Sequence, residues 1–298
     1  MQYSVGAPAT VRRPQPVGRA LRLPPFLKAF LSNRNNVVGA AILLPVVALA
    51  LAAPVLPIPH PLKPDILVSL EGPSAAHPFG TDKLGRDIFS RTLAGLQVSL
   101  IVGFSAAGLA LVAGMVIGTL AGFMGKTVDT AVSAIVDVFL AFPSLLLAIG
   151  VVAIFGPGLT QVIAALAIAD APRAIRLQRS LALSLKSRTY MDAARMSSAS
   201  TLWMLRKHVF PNTIAPMVVV ASIYASNAIL AEAALSFLGL GLVPPDPSLG
   251  NLVSEGRQYL QDAWWISTIP GLVIAMVSVA LHLFSDGIRE QLDPRLGV

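Results

Sequence analysis

Residues 93–124 read LAGLQVSLIVGFSAAGLALVAGMVIGTLAGFM, and no charged side chain interrupts them. Residues 37–56 form a second uncharged stretch. A helix of about 20 apolar residues is long enough to cross the ~30 Å hydrocarbon layer of a bilayer. The two stretches therefore predict an all-helical integral membrane protein, and their length argues against a soluble protein with a large apolar core.

The composition points the same way. Hydrophobic residues make up 55% of the chain and charged residues 12%, whereas typical soluble proteins contain about 25% charged residues. The absence of cysteine excludes a disulfide framework and a thiolate metal site, and we expect no metal site. The net charge of +7 does not indicate nucleic-acid binding, because the positive residues gather on one side of the predicted membrane.

The apolar pattern predicts six spanning helices, at about residues 37–56, 96–123, 131–155, 159 to beyond Pro172, 214–238 and 264–284. The fourth continues past its proline into a basic helical extension. We expect four parts along the chain: an N-terminal tail at 1–36, the first helix and its outer loop at 37–92, a five-helix core at 93–286 that includes the loop 188–211, and a C-terminal tail at 287–298.

The positive charges choose the orientation. Six spans place both tails on one side of the membrane, and most of the 22 Lys and Arg residues lie in the tails and in the loop 172–212. Loops rich in Lys and Arg stay in the cytoplasm. Both termini and the loop 172–212 are therefore predicted to be cytoplasmic.

One long polar segment, residues 188–211, interrupts the apolar pattern. Tyr190–Met196 is compatible with a helix, the next residues break it, and Ser200 can cap a second helix by accepting backbone N–H groups. We expect this second helix to close at His208-Val209-Phe210-Pro211. Physically, the segment suits either insertion into a groove of another protein or an amphipathic helix lying on the membrane surface.

The segment resembles the "EAA" loop of membrane subunits of ATP-driven importers, the loop that docks onto a separate ATPase. Asp192-Ala193-Ala194 matches the Glu-Ala-Ala of that loop. The resemblance implies an ATPase-docking role for Tyr190, Asp192, Ala193, Ala194, Arg195, Ser198, Arg206, His208 and Pro211. Ser198 stands where the family usually has glycine, and a non-glycine residue at positive φ costs on the order of 1 kcal/mol.

Two further strings carry the resemblance to the dipeptide/oligopeptide importer permeases, specifically to the C-type second permease subunit. Residues 77–91 read HPFGTDKLGRDIFSR, and residues 233–241 read AALSFLGLG. The resemblance extends over about residues 30–295. It implies the fold of a type I ABC importer permease, with six transmembrane helices and a cytoplasmic coupling helix, in the inner membrane of a bacterium.

The resemblance also implies the partners. A homologous permease would form a heterodimer with this chain, two cytoplasmic ATPase subunits would grip residues 190–208, and an extracytoplasmic binding protein would deliver the solute. ATP and Mg would be used by the ATPases, with no cofactor bound to this chain. The implied cargo is di- and oligopeptides, although the same machinery also imports nickel, glutathione or haem.

No nucleotide site or hydrolytic site is expected in the chain itself. Gly125-Lys126-Thr127 is not a phosphate-binding loop, because Leu120 occupies the position that requires glycine. The four histidines are not accompanied by a Gly-x-Ser-x-Gly string. The protein is thus predicted to be a non-catalytic subunit. A proton-coupled secondary transporter is the rival from another class, since carboxylates within predicted spans could relay protons.

Several polar residues are candidates for the translocation path or for contact with the binding protein: Asp82, Arg86, Asp87, Glu232 and Asn227. Glu232 could line the outer mouth of the path or hold the following loop by hydrogen bonds. Asp137 and Asp170 could pair with Arg173 or Arg176.

Glycines recur every four residues in the second predicted span, at Gly114, Gly118 and Gly122. Such a face allows close helix packing, either inside the chain or between subunits.

Overall fold

The computed structural model describes residues 33–292. Most of the predicted N-terminal tail, and residues 293–298 of the predicted C-terminal tail, lie outside the described residues. Within 33–292 the secondary structure is helical, apart from one isolated bridge between Thr81 and Asp87. The all-helical prediction is confirmed for this part of the chain.

Nine helical segments carry the architecture of residues 33–292. They are α1 (Arg34–Ala52), α2 (Ile88–Phe123), α3 (Lys126–Leu140), α4 (Ser144–Phe155), α5 (Leu159–Lys186), α6 (Thr189–Met196), α7 (Thr201–Phe237), α8 (Leu249–Gly256) and α9 (Trp265–Leu292). Short 3₁₀ turns lie at Ala53–Val55, Ile66–Val68 and Arg257–Tyr259. Helices α2 and α7 each contain one π-helical turn, at Gly114–Gly118 and Leu205–Val209 respectively.

Four segments are long and apolar enough to cross a membrane, and the pair α3 and α4 makes a fifth if it is counted as one span. The four are Arg34–Val55, Ile88–Phe123, Thr201–Phe237 and Trp265–Glu290. Helix α5, the fourth predicted span, does not belong to this group because Asp170, Arg173 and Arg176 fall within its first 18 residues. The described residues thus give four or five spans by length and composition.

The third predicted span, 131–155, is not one straight helix. It divides into α3 and α4, whose axes are bent by 89° at residues 141–143. Pro143 has an extended ψ of 132°, and a proline removes a helical hydrogen bond and disfavours the helical conformation of the residue before it. The chain therefore turns sharply at this proline.

The predicted end of a helix at His208-Val209-Phe210-Pro211 is wrong. Helix α7 runs without interruption from Thr201 through Pro211 to Phe237. In the π-helical turn, the N–H of Phe210 donates to the carbonyl of Leu205, which widens the helix by one residue just before the proline. Wider turns of this kind are recognised sites of adjustment within helices. The end of the polar segment is therefore the beginning of a spanning helix.

Helices α2, α5 and α7 pack against one another, while α1 packs against α9. The glycines of α2 make its contact with α5 close. A Cβ atom at Gly114 would lie 2.7 Å from the Cβ of Ala174, and one at Gly118 would lie 2.6 Å from the carbonyl oxygen of Ile175. One at Gly122 would lie 2.9 Å from the Cβ of Ala182. The sequence left open whether this glycine face packs inside the chain or between subunits; in the structure it packs inside the chain, against α5.

Candidate docking loop and polar clusters

Helix α6 ends in a turn that normally requires glycine. Ser198 has φ 55°, its N–H donates to the carbonyl of Arg195, and the N–H of Ala199 donates to the carbonyl of Ala194. These two hydrogen bonds, 3.0 and 3.1 Å long, are those of a Schellman motif, in which the left-handed residue is usually glycine. The turn keeps the glycine geometry, and the serine bears the strain.

Replacing Ser198 with glycine is expected to stabilise the protein by about 1 kcal/mol, because the left-handed conformation costs glycine nothing and costs serine about that much. The change would be measured as a rise in thermal unfolding temperature of the purified chain in detergent. Ser197→Gly is the matched control: Ser197 has φ −81° and its hydroxyl donates to the carbonyl of Ala193, so glycine should lower stability there. An unfolding temperature for Ser198→Gly at or below that of the wild type would contradict the assignment of strain.

The second half of the polar segment begins with the predicted helix cap at Ser200. The hydroxyl of Ser200 accepts a hydrogen bond from the N–H of Trp203 at 3.3 Å and so caps α7. The ring of His208 lies 5.1 Å from that of Trp203 and 5.4 Å from that of Tyr190. The histidine thus joins α6 to the first turns of α7 through aromatic contacts.

One face of the polar segment is buried in the chain and the other is exposed. Its apolar side chains pack against the ends of α2 and α5 in a cluster of Phe123, Ala182, Met191, Met204, Leu205 and Val209. The exposed face carries Tyr190, Asp192, Ala193, Arg195, Met196, Leu202, Trp203, Arg206 and Lys207. We call these nine residues the docking face; it mixes small, aromatic and basic side chains.

The docking face is tied to the ends of α5 and α2. Arg195 forms an ion pair with Asp192 and also donates to the carbonyl of Lys186, at the end of α5, at 3.1 Å. The ammonium group of Lys186 donates to the carbonyls of Gly122 and Phe123, at the end of α2. Positive side chains at helix C-termini satisfy carbonyls that lack helical partners. A displacement of α6 would therefore act directly on α5 and α2.

A second polar cluster holds the loop before α2. Asp82 accepts hydrogen bonds from Arg86 and Arg91, each at 2.6 Å, and both arginines also contact Glu255 of α8. Asp87 caps α2 by accepting from the N–H of Ser90 at 2.8 Å. The cluster joins the loop, the start of α2 and α8.

Glycine is required at position 85 of the string 77–91 by the backbone conformation and by the lack of space for a side chain. Gly85 has φ 68°, and a Cβ atom there would lie 1.6 Å from the carbonyl oxygen of Asp65, so no other residue fits this position.

The predicted contact residues in this string are not at a surface. Asp82, Arg86 and Asp87 are buried within the chain, where their partners satisfy them. In this conformation they shape the loop and do not present their side chains to another protein. The sequence suggested contact because an isolated string of charged residues gives no sign of a partner such as Glu255, which lies far along the chain.

Glu232 is also buried, with no exposed surface. Its carboxylate accepts hydrogen bonds from the hydroxyls of Ser99 in α2 and Ser236 in α7, each at 2.8 Å. It therefore joins two helices and does not line an outer mouth.

Helix α5 carries three arginines that face carboxylates. Arg173 pairs with Asp170 at 3.1 Å, Arg176 pairs with Asp137, and Arg179 pairs with Asp129. The first two pairs were anticipated from the sequence; the third was not, because Asp129 lies 50 positions away.

Asn227 differs from the other path candidates because it is exposed. It lines a cavity of about 200 Å³ between α4, α5 and α7, together with Ser144, Asp170, Arg173 and Tyr224. That Ser144 and Tyr224 lie in the same cavity as Asn227 could not be predicted from the sequence. Within residues 33–292, no group of three His, Asp or Glu side chains is arranged to hold a metal ion.

Comparison with known proteins gives consistent matches. Residues 114–298 match the family described as "Binding-protein-dependent transport system inner membrane component". The chain is 42% identical to a putative peptide transport system permease protein of Brucella suis, with 91% of each chain covered. It is 40% identical to the di/tripeptide transport system permease protein DppC of Pseudomonas aeruginosa, again with 91% of each covered.

A solved structure shares the fold. A chain from inward-facing structures of the MetNI methionine ABC transporter superposes with a TM-score of 0.54 at 20% identity. The match covers 67% of this chain and 95% of that one. At this level of identity the likeness concerns the fold alone.

Proposed function

Because the chain belongs to the family of binding-protein-dependent transport system inner membrane components, we propose that it is the C-type permease subunit of an ATP-driven importer of di- and oligopeptides. The observation that carries the cargo class is the 40–42% identity to relatives named for peptide transport, over nine-tenths of both chains. Nickel, glutathione and haem are the less favoured cargoes.

The proposed arrangement has six spans with both termini in the cytoplasm. Helix α5 is the additional span, and α3 with α4 form the bent one. Residues 93–286 then form the five-helix core, preceded by the first helix and its outer loop at 37–92. Two features support this: α5 packs along α2 and α7, and its ion pairs with α3 lower the cost of charges in a spanning helix.

We assign the docking face to the ATPase subunits. It lies on the cytoplasmic side in the proposed topology, and it is exposed over a buried apolar underside. In this assignment ATP and Mg bind to the ATPases, nucleotide-driven closure displaces α6, and the displacement passes through Arg195 and Lys186 to α5 and α2. This chain performs no hydrolysis.

On the outer side, the segments 77–91 and 239–262 form the proposed receiving surface for a binding protein. Asp82 and Glu255 bind the same arginine side chains in the ion-pair cluster described above, which holds these two segments together. A homologous permease completes the translocation path as a heterodimer.

The proposal is tested by purification and uptake together. A tagged chain, extracted from its own bacterial membrane in mild detergent, should bring down two ATPase subunits or one fused ATPase, and a homologous permease. Cells that lack the gene should lose uptake of radiolabelled dialanine and regain it with the gene restored. A homogeneous preparation of this chain that transports alone on a proton gradient would instead identify a secondary transporter.

A further inference from the structure

The cavity that contains Asn227 lies near the middle of the membrane in the proposed six-span arrangement. Asp170 lies about 17 Å along α5 from its start at Leu159, and Asn227 lies about 15 Å along α7 from its end at Phe237, at 1.5 Å per residue. The hydrocarbon layer is ~30 Å thick. Ser144, on the third wall, is the first residue after the sharp bend between α3 and α4.

Broken helices at this depth have a known consequence in transporters. In secondary transporters, substrate sites near the middle of the membrane are typically formed where spanning helices are discontinuous. The cavity lies at a corresponding depth beside a helix break, so its polar lining is a candidate substrate site.

The ion pair in the cavity is open. The side chain of Asp170 is 13% exposed and that of Arg173 is 44% exposed, although they lie 3.1 Å apart. Charged groups at mid-membrane are costly and face protein or water instead of lipid. Glu232 shows the alternative: it is fully buried and accepts from two hydroxyls. The Asp170–Arg173 pair is not enclosed in this way, and we infer that Arg173 faces the path or the partner permease.

We propose that this cavity binds the charged end of a peptide during its passage. The proposal rests on the function proposed above and narrows the role of the site. At neutral pH a free peptide carries an α-ammonium and an α-carboxylate group. Asp170 can accept from the ammonium, and Arg173 can donate to the carboxylate with two parallel hydrogen bonds. The amide of Asn227 and the hydroxyl of Tyr224 supply neutral donors and acceptors.

Charge balance favours a zwitterionic ligand. The cavity holds one negative and one positive group that neutralise each other when it is empty. A bound peptide end replaces this internal pair with a pair to its own charge, and the second peptide charge can satisfy the group that is released. In a dipeptide, whose two charges lie on neighbouring residues, no unpaired charge is then left in the membrane at either stage, which avoids the penalty of a buried single charge.

The size of the cavity limits what this chain binds. Its volume of about 200 Å³ is below the roughly 300–1,000 Å³ of sites that enclose a whole drug-sized ligand. The site therefore grips the terminal part of the peptide and leaves the side chains free. An importer that accepts many peptides needs this kind of recognition, since the termini are what different peptides share.

The first test removes both charges together. Asp170→Asn combined with Arg173→Gln leaves no single charge unpaired. We expect this variant to assemble with the ATPases and to hydrolyse ATP, while uptake of radiolabelled dialanine falls about tenfold or more, as loss of charge-assisted hydrogen bonds predicts.

The matched control is Asp137→Asn with Arg176→Gln, the same pair of residue types between α3 and α5, with both side chains more than half exposed. This pair lines a separate cavity of about 250 Å³. Arg176 lies about 26 Å along α5 from Leu159 at 1.5 Å per residue, nearer the end of the ~30 Å hydrocarbon layer than its middle. The control variant should keep uptake within about twofold of the wild type, as for exposed ion pairs. Equal loss in the two double variants, or no loss in the first, would overturn the proposal.

The second test does not depend on removing charges. The chain has no cysteine, so Asn227→Cys introduces its single thiol. In the reconstituted complex with its binding protein and ATP, saturating dialanine should slow the reaction of this thiol with a small cationic thiol reagent. Asn212→Cys, at an exposed polar position of the same helix outside the cavity, should react at the same rate with and without the peptide. No protection at position 227 would overturn the proposal.

The proposed function and the mid-membrane site are contradicted by different results. If the wild-type complex takes up no peptide, or contains no ATPase, the proposed function is wrong. If the wild type imports dialanine and the Asp170→Asn, Arg173→Gln variant imports it equally well, the function stands and only the mid-membrane site is wrong.

Discussion

Replacing Ala193 with tryptophan should abolish peptide uptake while leaving the chain in the membrane. Ala193 lies on the exposed side of α6, at the centre of the string Asp192-Ala193-Ala194, where a small side chain leaves a smooth surface. Overpacking a fitted contact costs about 1–3 kcal/mol or more, which corresponds to roughly 10- to 100-fold weaker binding of the ATPase. Co-purification of the ATPase and uptake of radiolabelled dialanine should fall together.

The controls for this change lie in the same helix. Ala193→Ser keeps the residue small, and Asp192→Glu restores the acidic residue usual in the resembled loop; both should retain docking and uptake. Ala194 is a poorer target than Ala193, because it packs against the buried cluster beneath the loop and a large residue there would disturb the fold as well. Normal uptake by Ala193→Trp, at a membrane level equal to that of the wild type, would remove the docking assignment.

Replacing Gly118 with valine should destabilise the subunit by about 3 kcal/mol or more. A Cβ atom there would lie 2.6 Å from the carbonyl oxygen of Ile175 and 3.0 Å from the backbone nitrogen of Arg179. Because these are backbone atoms, no side-chain rotation relieves the clash, and α2 must move away from α5. The effect would be measured as a fall in thermal unfolding temperature and in the folded fraction of the purified chain in detergent.

Gly108 provides the comparison in the same helix. A Cβ atom at Gly108 would meet nothing within 4 Å, so Gly108→Val should leave the stability of the isolated subunit within about 0.5 kcal/mol of the wild type. If the two valine variants unfolded at the same temperature, the close contact between α2 and α5 would not be what requires glycine.

The features that the sequence predicted correctly are those that a short stretch of residues determines by itself. The uncharged run at 93–124 predicted a spanning helix because its length is sufficient to cross a membrane. In the structure this helix begins earlier, at Ile88, because Asp87 caps it. The register of the surrounding string placed Ser198 at the position of the usual glycine, but left open whether the turn keeps the glycine geometry; the structure has that geometry, with φ 55° at Ser198.

The effect of each proline could not be predicted from the residues next to it. Pro143 turns the chain by 89°, whereas Pro172 and Pro211 lie within continuous helices. In membrane helices neighbouring groups can satisfy what a proline disrupts, so tertiary packing decides which prolines break a helix. The same holds for the contact of Arg91 with Glu255, which are 164 positions apart.

The continuity of α7 brings the two candidate sites into one mechanical element. Trp203, on the docking face, and Asn227, on the wall of the cavity, are about 36 Å apart along a single helix. The backbone hydrogen bonds of α7 keep its length nearly constant, so a tilt at its docking-face end moves the cavity wall as well. In the proposed function, ATPase engagement and opening of the peptide site would therefore be one motion, and the π-helical turn at Leu205–Val209, which lies between Trp203 and Asn227, would set how stiffly the two sites are joined.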